Sequence, residues 1–93
     1  MTLKMERFSE KHGTRFRLSG ELRSAQLGDV QREIELGVSR VILDLDEVDL
    51  VDIDAVNFLN HCKAQKIEVV NCSAYIREWM SQERDRKRNS ERS

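Results

Sequence analysis

Arg40-Val41-Ile42-Leu43-Asp44-Leu45-Asp46-Glu47-Val48-Asp49-Leu50-Val51-Asp52-Ile53-Asp54-Ala55-Val56-Asn57-Phe58-Leu59 is the stretch whose reading decides the fold. Val41, Leu43 and Leu45 alternate with Ile42, Asp44 and Asp46, the two-residue period of a strand with two unlike faces. Asp46 to Asp49 reads as an acidic turn, after which Leu50 and Val51 return the chain to the core. Asp52 suits a helix N-cap, because its carboxylate accepts orphan backbone N–H groups. Ala55, Phe58, Leu59 and Cys62 then fall on one helical stripe, with Val56 beside it. Strand, turn and helix in this order form the organising unit of a small α/β domain.

Working outward, Leu3 and Met5 alternate with Lys4 and Glu6, and Phe16 and Leu18 alternate with Arg15 and Arg17, so two strands are expected around a His12-Gly13 turn. Ser24 is the expected N-cap of a first helix carrying Leu27, Val30 and Ile34 inward and Glu33 and Glu35 outward, with Gly37 as a left-handed stop. Gly28 weakens that helix by about 1 kcal/mol relative to Ala. Lys66 ends the second helical region. Ile67-Glu68-Val69-Val70 reads as the last strand, and Ser73 caps a final helix whose Ile76, Trp79 and Met80 follow i, i+3, i+4 spacing. The order β-β-α-β-α-β-α, with right-handed crossovers, predicts a mixed four-stranded sheet with the helices mainly on one face. The alternation within the strands agrees, since strands buried on both faces are apolar throughout.

With 93 residues the chain suits one domain. Residues 1–82 are read as that domain. Residues 83–93 carry Arg84, Arg86, Lys87, Arg88 and Arg92 against three acids and read as a charged tail, either a helical extension or disordered. The formal net charge is −1, giving little long-range pull on nucleic acid or membrane. Between Arg40 and Lys63 there are six acidic residues and no Lys or Arg. No apolar run approaches the roughly 20 residues that span a bilayer. Two cysteines, Cys62 and Cys72, make no disulfide framework, and with no signal peptide the expected setting is the cytoplasm.

Four segments, in order, resemble the STAS domains, the family of anti-sigma-factor antagonists. Leu18-Ser19-Gly20-Glu21-Leu22 resembles the family's "Leu-x-Gly-Glu-Leu" signature. Val41-Ile42-Leu43-Asp44-Leu45 is similar to its central strand. Val51-Asp52-Ile53-Asp54-Ala55 sits where the family often has "x-Asp-Ser-Ser-Gly", and Val69-Val70-Asn71-Cys72 resembles its fourth strand. The resemblance implies a STAS-like fold and a non-catalytic protein–protein interaction module whose partner is an anti-sigma kinase. In that family the kinase phosphorylates the first Ser of the motif, and a phosphate at a helix N-terminus is accommodated by free N–H groups and the macrodipole. Here Ile53 occupies the acceptor position, Asp54 the second Ser and Ala55 the Gly, so the phosphosite is degenerate. The chain also lacks the further strand and helix of longer members. It is similar in extent to short members that are subunits of membrane-transport assemblies, so a regulatory or structural subunit of a transporter or signalling scaffold is the alternative.

The expected partner-binding residues are Val48, Asp49, Asp52, Ile53, Asp54, Asn57 and Phe58, with Asn57 and Asn60 on the exposed side. Asp54 has an ordinary role as a carboxylate in a first helical turn, and a fixed phosphate mimic is the sharper reading. The acidic run lacks the Gly and the twelfth-position Glu of an EF-hand loop. His61 and Cys62 point about 100° apart on a helix and cannot easily share a metal or an atom. No Gly-rich phosphate loop follows a strand. Neither catalytic residues, nor a metal, nor a cofactor is therefore expected. A protein partner is expected, while nucleic-acid binding and membrane insertion are not; a homodimer is compatible with this reading.

Overall fold

The computed structural model describes residues 3–37 and 40–92, with side chains described as far as residue 86. Its elements are β1 (Lys4–Glu10), β2 (Gly13–Leu22), α1 (Ser24–Leu36), β3 (Arg40–Val51), α2 (Ile53–Ala64), β4 (Glu68–Val70) and α3 (Ala74–Arg92). The strands form one mixed sheet in the order β1-β2-β3-β4, with β1 and β2 antiparallel and the remaining pairs parallel. This is the expected α/β arrangement. Tail residues Lys87, Arg88 and Arg92 lie outside the described side chains.

One face of the sheet supplies the core. Phe16, Leu18 and Leu22 of β2 and Val41, Leu43 and Leu45 of β3 meet Val30 and Ile34 of α1, Ala55, Val56, Leu59 and Cys62 of α2, and Ile76 and Met80 of α3 in a single buried cluster. All three helices therefore pack on that face, where burial of each large apolar side chain contributes about 1.5–3 kcal/mol. The opposite face is charged. Arg15 meets Asp44 at 2.6 Å, Arg17 lies 3.9 Å from Asp46 and 3.7 Å from Glu47, and Arg40 meets Glu68 at 2.5 Å.

Several local expectations are corrected. The turn is Lys11-His12, and Gly13 already belongs to β2. A Cβ at Gly13 would lie 2.1 Å from the Arg40 carbonyl oxygen, so close backbone approach to β3 selects glycine there. The N-cap of α1 is Arg23, not Ser24. The Gln26 side chain accepts from the Arg23 backbone N–H at 3.0 Å, a return contact that tolerates a non-capping residue at the cap position. Glu33 is half-buried while Glu35 faces water. Gly37 has φ −69° and is not left-handed; the left-handed non-glycine residues among those described are Lys66 (φ 66°) and Asn71 (φ 60°). Lys66 closes α2 with paired bonds: Ile67 N–H donates to Cys62 C=O at 3.0 Å and Lys66 N–H to Lys63 C=O at 3.2 Å.

The acidic turn expected at Asp46 to Asp49 does not form. Asp46 to Asp49 is strand, since β3 runs on to Val51. Arg17 pairs with Asp44 but Ser19 with Glu47, and Gly20 pairs with Val48 but Glu21 with Leu50. Each offset leaves an extra residue on β3, so the acids occupy two β-bulges instead of a loop. Gly20 sits opposite with φ 100°, a conformation that favours glycine.

Candidate interaction site at the start of the second helix

Two strands end together here. Leu22 of β2 pairs with Val51 of β3, which brings the start of α1 beside the start of α2. Asp52 lies between them in an extended conformation (φ −107°, ψ 179°). Its Oδ1 accepts from the Ala55 N–H at 2.9 Å, and its Oδ2 accepts from the Ser24 N–H at 2.8 Å. One carboxylate thus caps both helices. Burial pushes its pKa up, but the Ser24 and Ala55 amides, aided by the charge of Arg23, outweigh this and hold it below the ordinary carboxylate range.

The other proposed contact residues separate into surface and interior. Asp49, Ile53 and Asp54 are exposed, Ile53 to 39% as a large apolar side chain in the first turn of α2. Val48 is only 5% exposed, so its side chain is core and offers nothing to a partner. Phe58 is half-buried against the core. Asn57 and Asn60 are also half-buried, contrary to the exposed placement expected for them. The Asn57 carbonyl oxygen is buried with no hydrogen-bond partner among the described residues. Asn60 donates to the Met80 carbonyl at 2.9 Å, tying α2 to α3. The exposed surface at this end is thus an isoleucine with carboxylates near it in the chain. Among the described residues neither Asp49 nor Asp54 is in an ion pair.

No protein-family model matches the chain, and no curated protein is significantly similar to it.

Chemically, the helix start has no hydroxyl at position 53, and its Ala55 N–H is already taken by Asp52. Asp54 supplies a carboxylate in the first turn, favourable to the helix by roughly 0.3–1 kcal/mol. Among the described residues no three His, Cys, Asp or Glu side chains gather as a metal-ligand group. Among the described residues no helix is long and apolar enough to cross a membrane.

Sequence reasoning missed the link from Asp52 to Ser24, because only the parallel pairing of β2 with β3 sets those helix starts side by side. It also missed Asn71, whose Nδ2 donates to Asp44 at 3.0 Å. The cysteines differ in access: Cys62 is buried, which pushes its thiol up to about 11, while Cys72 is half-buried. A maleimide added to the folded protein at pH 7 is expected to label Cys72 well before Cys62, and mass spectrometry of the digest gives the order. Equal labelling would mean that the α2 core opens readily.

Proposed function

We propose that this chain is a STAS-like, non-catalytic protein–protein interaction module of bacterial-type, cytoplasmic regulation, resembling an anti-sigma-factor antagonist, that docks a protein partner through the start of α2. The observation carrying the proposal is Ile53: an exposed aliphatic side chain held on a helix start that the double cap of Asp52 makes rigid. A preorganised apolar residue among carboxylates is the composition of a small docking surface, where one apolar anchor contributes most of the affinity and charge sets orientation. Serine phosphorylation at this position is chemically closed, so association is governed by partner availability and not by a phosphate on this residue.

A photo-crosslinking amino acid at position 53 in the native cell, followed by mass spectrometry, tests this. Capture of a histidine-kinase-like anti-sigma factor, with affinity reduced about tenfold or more by Ile53→Asp, is the expected result. Capture of a transport ATPase or permease assigns the chain to the assembly-subunit class. Binding that is indifferent to Ile53→Asp removes this site from the proposal. After incubation with the captured kinase, no phosphate is expected on Asp52 to Ala55. An acyl phosphate on Asp52 or Asp54 would overturn the unswitched reading.

A further inference from the structure

A cleft of about 600 Å³ opens beyond β4, lined by Lys63 of α2, Val69 to Cys72, and Arg77, Met80 and Arg84 of α3. Its charged lining is wholly basic, in a chain whose net charge is −1. Lys63, Arg77 and Arg84 are exposed, and among the described residues none is in an ion pair. Lys63 has an ordinary reason to be there, since a cation in the last turn complements the negative end of α2. Arg77 does not. It lies in the first turn of α3, which contains no acid, so it adds positive charge to the positive end of a helix dipole. Burial pushes the Cys72 thiol up while Lys63 and Arg77 pull it down, which sets both cations close to the cleft floor.

The cleft floor is also a sheet edge. β4 is the last strand in the order and pairs only with β3, so its outer edge has no strand partner among the described residues. Beyond it, Asn71 turns the chain in a left-handed conformation, anchored through its amide to Asp44, and α3 rises as the opposite wall. Arg77 and Arg84 are seven residues apart on α3, about 10 Å along the axis. An extended chain alternates its side chains between two faces, so one face of an added strand can turn toward the α3 wall while its backbone meets β4.

We infer that the β4 edge and the basic wall of α3 form a second docking surface, which takes an extended acidic segment of a partner protein as an added strand. Backbone bonds to β4 give the affinity, and Lys63, Arg77 and Arg84 select carboxylates. The occupant is committed by charge complementarity to the wholly basic lining and by the open β4 edge. The inference does not depend on Ile53, which begins α2 while Lys63 lies in its last turn.

The test uses the full chain and a fluorescent octapeptide alternating Glu and Val, with a Lys/Val octapeptide and inorganic phosphate as comparators. The acidic peptide is expected to bind, to weaken as salt rises, and to slow hydrogen exchange at the β4 amides. The double substitution Arg77→Glu and Arg84→Glu is expected to weaken it about tenfold or more. Both residues are exposed, so an unchanged circular dichroism melt confirms that the variant is folded; if it is not, Arg77→Ala with Arg84→Ala takes its place, with a smaller loss expected. Binding without β4 protection, binding unchanged by these substitutions, no binding, or equal binding of the Lys/Val peptide would each overturn the inference. Displacement of the acidic peptide by millimolar phosphate would reassign the cleft to small anions and overturn it equally. Ile53→Asp is expected to leave this binding unchanged, which separates its outcome from that of the α2 site.

Discussion

Asp52→Ala lowers the unfolding free energy by about 2–3 kcal/mol, because two helix caps at about 1 kcal/mol or more each are lost together. Both oxygens of Asp52 are in use, one on the Ala55 N–H and the other on the Ser24 N–H. Asp52→Asn keeps one acceptor and turns a donor toward the second amide, so it costs about half as much. The control is Ser73→Ala. The Ser73 hydroxyl accepts from one helix amide, the Ile76 N–H at 3.3 Å, and its loss is expected to cost about 1 kcal/mol or less. Urea unfolding followed by circular dichroism gives all three values. If Asp52→Ala costs no more than Ser73→Ala, the bridge between α1 and α2 carries no stability. For a domain of this size each kcal/mol corresponds to roughly 4–8 °C in melting temperature, so the Asp52→Ala variant melts visibly lower.

Asp44→Ala is expected to cost a similar amount, about 2–3 kcal/mol, by a different route. Asp44 sits on the charged face of the sheet yet is only 5% exposed. Arg15 Nη2 and Nε reach its Oδ2 at 2.6 and 3.2 Å, while Asn71 Nδ2 and the Asp46 N–H both reach its Oδ1 at 3.0 Å. Removing the carboxylate takes the shared acceptor from the Arg15 guanidinium, the Asn71 amide and the Asp46 N–H at once; Asn71 is exposed and Arg15 half-buried, so water replaces part of what is lost. Asn71 is held left-handed at the entry to α3, so this loss also loosens the turn that sets the basic cleft.

The same two carboxylates set the acid limb of stability. Burial pushes Asp44 up, but the hydrogen bonds from Asn71, Arg15 and the Asp46 amide prevail and hold its pKa below the ordinary value; Asp52 is lowered likewise. A carboxyl whose folded pKa lies below its unfolded value stabilises above the unfolded value, about 3.9, and loses that stabilisation as pH falls through the folded one. The wild-type urea midpoint is therefore expected to fall below about pH 4. The gap between wild type and Asp44→Asn or Asp52→Asn should narrow from pH 7 to pH 3. A gap that stays constant would show that neither carboxylate changes its ionisation on folding.

Where a residue's role follows from its immediate neighbours, the sequence was readable. The alternation of Phe16 and Leu18 with Arg15 and Arg17 marks the two faces of β2, and Asp52 and Ser73 cap the helices that follow them. Errors arose where a distant segment overrides local propensity. Asp46 to Asp49 look like a turn by composition, but pairing with β2 keeps them in the sheet as bulges, since the unpaired strand would leave its amides unbonded. Ser24 is a better cap than Arg23 by type, yet its N–H is claimed from 28 positions away by Asp52. Val48 and Asn60 appear usable for binding in the chain and are turned inward by packing.

Read alone, the chain determined the element order, the mixed sheet and the helical stripes, because hydrophobic period and capping are set within a few residues. It also settled that position 53 carries no hydroxyl. The tertiary structure decided which groups come together: Asp52 with Ser24, Asp44 with Asn71, and Lys63 and Arg77 in the lining of one cleft. These depend on strand order and crossover geometry, which bring together residues far apart in the chain, and no local pattern encodes those distances.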